Sequence, residues 1–410
     1  DYPQEKLEVI VFDNGSSDNS LQVIEDVYPS AVVLKNPKNI GFAPPHRVAS
    51  QVAKGEVLAF LNNDMKVESG WISRGIELLD LEKGVVCSSS KIMNWRGTDV
   101  EFNGGSLQYL GYADQLKRSE VEKGEDVLFP CGGAMFILKS VFEEAGCFDD
   151  DYFAIFEDVD LGWRLWVMGY RVVMAPDSIV YHRGHGTLRT RRQAKMRFLM
   201  HRNALMTIIK NYDNENLMKV LPVAFILAVK RALLFMNIDK KAFYFWEDQD
   251  SRIPPPPKFE EACLHLAAID DVFESFQSIQ EKRNAVQSRR KRDDKDIFVL
   301  FKDPFRNIMG SAEYLWDEVS LFGAFGLERV FQCEDQYMGR LNQGIFHAQN
   351  VLKTLRKEIP DLSGFPSNMK NMQDKKHPAK RFSKSLKEKG FAETFRKVAR
   401  HLVAYIGSQL

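Results

Sequence analysis

Through the first 180 residues, short apolar runs alternate with stretches of helical period. Apolar residues are nearly continuous in "LEVIVF" (7–12), "AVVLKN" (31–36) and "EVLAFL" (56–61), whereas "SLQVIEDVY" and "HRVASQVAKG" between them carry helical spacing. This alternation predicts an α/β domain, and the nearly continuous early strands suit a parallel sheet covered on both faces. "AMFILK" leads into a helical "SVFEEAG", and "RVVMAP" and "SIVYH" add two strands after an acidic stretch. Past about residue 190 the period turns helical, in "RQAKMRFLMHRNALMTIIKNY" and again through 217–236. "PPPP" at 254–257 is a break that no helix crosses. A long helix is expected from Phe259 to Ser288, ending in "RRKR". The expected division is 1–190, 191–292 and 293–410. Because the chain opens in a loop entering a strand, where a mononucleotide-binding fold has an earlier strand and helix, the first βα unit is expected to be absent.

Charge excludes little at the level of the whole chain. Lysine plus arginine equal aspartate plus glutamate, 56 against 56, so no global field points to nucleic acid, and none is expected as a partner. Five widely spaced cysteines without a C-x-x-C argue against a disulfide framework and a zinc site, and a reducing cytoplasmic setting follows. The most apolar run, 220–229, is too short to span a bilayer. From Lys370 to Arg400 eleven Lys/Arg face three acids, and 385–406 sets Leu386, Phe391, Phe395, Leu402 and Tyr405 among cations. That pattern is shared by an interfacial helix at the inner face of the cell membrane and by a solvated or partner-binding helix.

Polar residues collect where the strands end. Open α/β sheets bind ligands beyond the carboxyl ends of their strands, and there "VIVFDNGSSDNS" presents Asp13 and Asn14, able to read a nucleobase edge or ribose. The same residues also suit an Asx-turn followed by a helix capped by Asn19 or Ser20. "EVLAFLNNDM" delivers Asn62, Asn63 and Asp64; a carboxylate there can hold Mg²⁺ or Mn²⁺ against a diphosphate, or simply cap a turn. In "NIGFAPPHR", Gly41 permits close backbone approach and His46 or Arg47 can meet a phosphate. Acids crowd 144–160, and capping a helix accounts for one or two of them only.

The order "VIVFDNGSSDNS", "NIGFA", "LNNDM", "CGGAMFILKSVFEEAGCFDDDYFAIFEDVDLGWRLWVMGYRV", "APDSIVYHRGHGT" resembles the family-2 glycosyltransferases, in particular the rhamnosyltransferase-like bacterial branch, over roughly residues 1–215. The resemblance implies a GT-A mixed sheet sandwiched by helices and followed by a mostly helical region. It implies a UDP-, dTDP- or GDP-linked sugar donor, a saccharide or lipid-linked acceptor, a divalent metal and inversion at the anomeric carbon. Carried over by position, Asp158 matches the general base with Glu157 beside it, and Asp13, Asn14, Arg47, Asn63 and Asp64 fall on the donor side. Gly132, Gly133 and Asp160 fall on the acceptor side, and Asp64 with His182, or less readily His185, matches the metal site. "HRNALMTIIKNY" resembles the segment that packs behind the catalytic domain. Two other expectations compete: a nucleotide-sugar-binding domain without transfer activity, and a nucleotidyltransferase, for which no glycine-rich phosphate loop is present.

Overall fold

A computed structural model describes residues 2–184, 190–236 and 259–342. The "PPPP" break, His185, the basic stretch and the 385–406 segment lie outside the described residues. The chain divides into two compact units, Asp1–Asp213 with Ala228–Pro304, and Asn214–Leu227 with the chain from Phe305. The expected boundaries at 190 and 292 both fall inside the first unit, because polar side chains of the helical region bond the acidic segment of the α/β part.

In the first unit, β1 (Ile10–Asn14) and β2 (Val32–Asn36) pair in parallel around α1 (Ser20–Val27), as a two-stranded sheet of their own. After α2 (Ala43–Val52) come β3 (Val57–Leu61), β4 (Met65–Val67), α3 (Trp71–Ile76), β5 (Val85–Asn94) and the short strands β6 (Val100–Phe102), β7 (Gly105–Leu107) and β8 (Ala113–Gln115). β9 (Ala134–Leu138), α4 (Lys139–Glu144), α5 (Glu157–Val167) and β10 (Arg171–His182) complete the α/β part. The main sheet runs β3-β9-β5-β10-β4 with β6 beside β5; only β5 and β10 are parallel, so it is mixed.

The central strand, β5, is hidden in the sequence by "SSS". Its Ser88, Ser89 and Ser90 are fully buried and each finds a partner: Ser88 donates to Gly75 O at 2.6 Å, Ser89 Oγ accepts from Cys131 N–H, and Ser90 Oγ accepts from Trp71 Nε1. Buried hydroxyls are tolerated once bonded. The two strands expected at 171–182 are one, with a register shift between Ala175 and Ile179 around Pro176, which has no N–H for the ladder.

The helical part holds α6 (Thr190–Asn211), α7 (Asn214–Met236), α8 (Phe259–Glu274) and α9 (Phe276–Gln287). The single helix expected over 259–288 breaks at Ser275. The "RRKR" cluster folds back as staples: Arg289 donates to Glu144 O, Arg292 to Tyr170 O and Gly169 O, and Lys291 N–H to Val167 O. In the second unit, α11 (Ala312–Ala324), which follows α10 (Asp294–Ile297) in the chain, is capped by Ser311 and leads into α12 (Leu327–Val330). There Phe305 stacks on Phe322 at 4.2 Å. No helix among the described residues is long and apolar enough to cross a membrane.

Candidate active site

The acids of 149–160 separate into two groups by partner. Asp149 Oδ2 accepts from Lys210 Nζ at 2.6 Å and its Oδ1 from Lys282 Nζ at 2.5 Å, while Asp151 also takes Lys282. Asp150 is gripped by the fork of Arg47. Asp160, fully buried, accepts from Arg164 Nε at 2.8 Å, Lys210 Nζ at 2.9 Å and Asn211 Nδ2 at 3.0 Å. Burial raises the Asp149 and Asp160 pKa values, but the cations more than offset it and both carboxyls end below the usual range. The acceptor-binding role expected for Asp160 is therefore corrected: a carboxylate with no exposed surface and three donors fastens α5 to α6. Arg47, expected on the donor side, has its guanidinium committed to Asp150.

Among the described residues, Glu157 and Asp158 are the acids of 149–160 with no cation in ion-pair reach. Both sit in the first turn of α5, whose cap residue Phe156 offers no side-chain bond, so the helix N-terminus faces them. Asp158 is half-buried; its Oδ2 accepts from Gly132 N–H and its Oδ1 from Val159 N–H, each at 2.8 Å. Burial nevertheless pushes its carboxyl above the usual range. Glu157 is buried, its Oε2 has no hydrogen-bond partner among the described residues, and burial followed by the Asp158 charge pushes it up to about 8. Near neutral pH Glu157 thus keeps its proton, while the two backbone donors at Asp158 favour the charged form there.

Gly132 and Gly133 join this pair to the end of β3. Asn62 N–H donates to Gly133 O at 2.9 Å, and the N–H of the preceding residue, Gly132, reaches Asp158. A Cβ on Gly133 would lie 2.7 Å from Asn62 Nδ2, and one on Gly132 3.2 Å from Asp158 Cβ. These glycines are required by the close approach of the two loops, and the space over them is already filled by Asn62 and Asp158.

Beyond Asn62 the chain turns through exposed Asn63 to Asp64. The antiparallel register of β4 on β10 sets His182 opposite Met65, which brings His182 Nε2 to 3.3 Å from Asp64 Oδ2. His182 Nδ1 meets Glu101 Oε2 at 2.7 Å. Glu101, on β6, carries no signal in the sequence; only the β5–β6 hairpin brings it here. Among the described residues no cluster of three or more metal-ligating side chains forms. Asp64 Oδ1 is, however, buried without a hydrogen-bond partner there, an oxygen that a hard cation would satisfy. Mg²⁺ and Mn²⁺ keep substrate phosphates and water as most of their ligands, so a carboxylate with an oriented imidazole fits them.

On β1, Asp13 Oδ1 accepts from Ser16 N–H three residues on, one residue further than the expected Asx-turn would reach. Asn14 holds the next loop: its Nδ2 donates to Gly41 O at 2.7 Å and its Oδ1 accepts from Ile40 N–H. Asn19 takes the N-cap position of α1 without a side-chain cap bond, and Asp18 just before it accepts from Ser20 N–H. His46 lies against Phe42, Phe60 and Phe148, and burial lowers its pKa, so it is a neutral packing residue.

Two family models match this chain: "Glycosyl transferase family 2" over residues 1–146 and "Glycosyl transferase family group 2" over 83–245. A glycosyltransferase, AglE, of Haloferax volcanii is 25% identical over 44% of this chain and 58% of its own length. An N-acetylglucosaminyl-diphospho-decaprenol L-rhamnosyltransferase of Mycobacterium tuberculosis is 25% identical over 44% of this chain and 68% of its own. Bovine polypeptide N-acetylgalactosaminyltransferase 6 is 25% identical over 43% of this chain, and the chain spans only 32% of it. A crystal structure of S. aureus TarS 1-349 superposes at 14% identity over 80% of this chain and 83% of that one with a TM-score of 0.41.

Proposed function

We propose that residues 1–245, which two glycosyltransferase family models match between them, form a family-2 domain with a GT-A sheet, and that the chain is an inverting transferase. It moves a sugar from a nucleoside-diphospho-sugar to a hydroxyl of a saccharide or lipid-linked saccharide. The observation that carries this reading is the Gly132–Gly133 bridge, which ties the Asp158 carboxylate to the loop that delivers Asp64.

An acceptor hydroxyl does not ionise at neutral pH, so a carboxylate within hydrogen-bond reach must take its proton as oxygen attacks. Asp158 fills that role: it accepts the proton while the new bond to the anomeric carbon forms, and the old carbon–oxygen bond breaks with its electron pair leaving on the diphosphate. Displacement in one step from the opposite face inverts the centre. Glu157, protonated near neutrality, keeps a second negative charge out of the crevice. Asp64 and His182 would hold Mg²⁺ or Mn²⁺, which when bound neutralises charge on the diphosphate. Asp13 and Asn63 are assigned to donor contact, and Asn14 acts through the loop it holds. A lipid-linked acceptor would bring the chain to the inner face of the cell membrane, which the basic stretch 370–400 supports by composition.

Calorimetry of the full chain against UDP-, dTDP- and GDP-sugars, with and without Mn²⁺, followed by an assay of nucleoside diphosphate release with saccharide acceptors, tests this. Metal-dependent binding and release are expected. Binding without release under any acceptor replaces transfer by simple nucleotide-sugar binding; no binding overturns both.

A further inference from the structure

The acid pair is aimed by a strained loop. Within 151–156, Phe153, Ile155 and Phe156 have φ of 59°, 70° and 72°, and Phe156 immediately precedes Glu157. A β-branched residue such as Ile155 at positive φ is a genuine outlier, and such strain persists only where the surroundings over-determine it. Here the carbonyls are taken one by one by groups from elsewhere in the first unit. Asp151 O accepts from the Arg202 guanidinium and Phe153 O from Phe42 N–H. The other three converge on one side chain: Asn203 Nδ2 lies 3.1 Å from Tyr152 O, 3.0 Å from Ala154 O and 2.6 Å from Ile155 O. Asn203 is fully buried on α6, and three surrounding carbonyls require its NH₂ to point at them. One turn further along α6, Thr207 Oγ1 bonds the Tyr152 hydroxyl at 2.8 Å.

We propose that Asn203 is a positioning residue, whose amide clamps the backbone of 152–155, with Phe153 and Ile155 held at positive φ, and so fixes where Glu157 and Asp158 point into the crevice. No backbone ladder could do this, because positive φ at Phe153 and again at Ile155 breaks any repeating pattern; a short side chain with two N–H groups reaches the three carbonyls at once. The catalytic consequence rests on the transfer reading above, whereas the clamp itself does not.

The test is Asn203→Ala and Asn203→Leu, which keeps the approximate shape and has no donor, with Ile208→Val on the same helix as a packing control. Amide hydrogen exchange of the folded full chain is expected to quicken across 152–160 in both Asn203 variants, with the β9 amides unchanged. Turnover is expected to fall about 10- to 100-fold with the donor KM within about two-fold, as misplacement of a reacting group does. The pH at which the acid pair titrates is expected to move, and Ile208→Val to change neither turnover nor exchange. Wild-type exchange across 152–160 in either folded variant overturns the clamp. Faster exchange there with wild-type kcat and pH profile overturns the positioning role. If the parent chain shows no sugar transfer, the transfer reading fails, and the exchange data still decide the clamp.

Discussion

The backbone N–H of Gly132 stands 2.8 Å from Asp158 Oδ2, so the turn after Cys131 holds one oxygen of the candidate base. The other oxygen is held by Val159 N–H. A carboxylate oriented by two backbone donors keeps its direction without a neighbouring cation, and its basicity is not drained by an ion pair. We predict that Asp158→Asn lowers turnover on the order of 10²- to 10⁴-fold while donor affinity, read by calorimetry, stays within a few-fold. A variant that still turns over within three-fold of the parent, taken as roughly noise on that scale, assigns the base elsewhere.

Glu157 makes stability depend on pH in a defined direction. Its pKa is raised in the folded chain, so the stability it contributes is fully present below the ordinary glutamate range and is lost as pH rises towards about 8. Thermal unfolding of the parent is therefore expected at lower temperature at pH 8 than at pH 5.5. Glu157→Gln should flatten that dependence and raise the midpoint at pH 8. Equal slopes for the two proteins would contradict the buried carboxyl whose Oε2 has no hydrogen-bond partner among the described residues.

Lys210 bridges Asp149 and Asp160 with almost no exposed surface. Its replacement by Met leaves two buried carboxylates short of a cation, and breaking such a pair costs about 3–5 kcal/mol. Both carboxyls sit below the usual range in the folded chain, so their contribution is present above that range and lost as pH falls through it. Urea unfolding is expected to show the loss at pH 7 and a smaller gap between variant and parent near pH 3.

Gly41 has φ of 94°, and a Cβ there would lie 2.4 Å from Phe153 O, the carbonyl that accepts from Phe42 N–H. Gly41→Ala must therefore separate the loop held by Asn14 from the strained segment before Glu157. A loss of about 1–3 kcal/mol is expected from the backbone conformation alone. Chemical denaturation would read it, and an unchanged midpoint would contradict the close approach.

Asp64→Asn and His182→Ala address the cation. With UDP, dTDP or GDP as the probe, each is expected to weaken Mn²⁺-dependent binding measured by calorimetry. Glu101→Gln should do so about 10-fold, the ordinary cost of losing the group that orients a histidine ligand. Binding equally tight with and without Mn²⁺ in the parent would remove the metal from the site.

The strands that carry Asp13, Asp64 and His182 were legible because each is an apolar run that stops abruptly in polar residues. β5 was not, since three buried serines look like a loop until their hydrogen-bond partners are known. Asp160 read as a site residue for the opposite reason: an exposed acid and a fully paired buried one look alike in a string of letters. Glu101 and Asn203 were invisible, one because a hairpin carries it to His182 and the other because three carbonyls far along the chain give it its task.

By itself the sequence determined the alternation of strands and helices, the polar ends of those strands and the family resemblance, since periodicity and local order are properties of neighbouring residues. Only the tertiary structure decided which acids of 149–160 were neutralised by Lys210, Lys282, Arg47 and Arg164, and which two stayed unpaired. Charge neutralisation and desolvation depend on what packs within a few ångströms, and, apart from Arg164 one turn along the same helix, those partners come from helices some fifty to more than a hundred residues away in the chain.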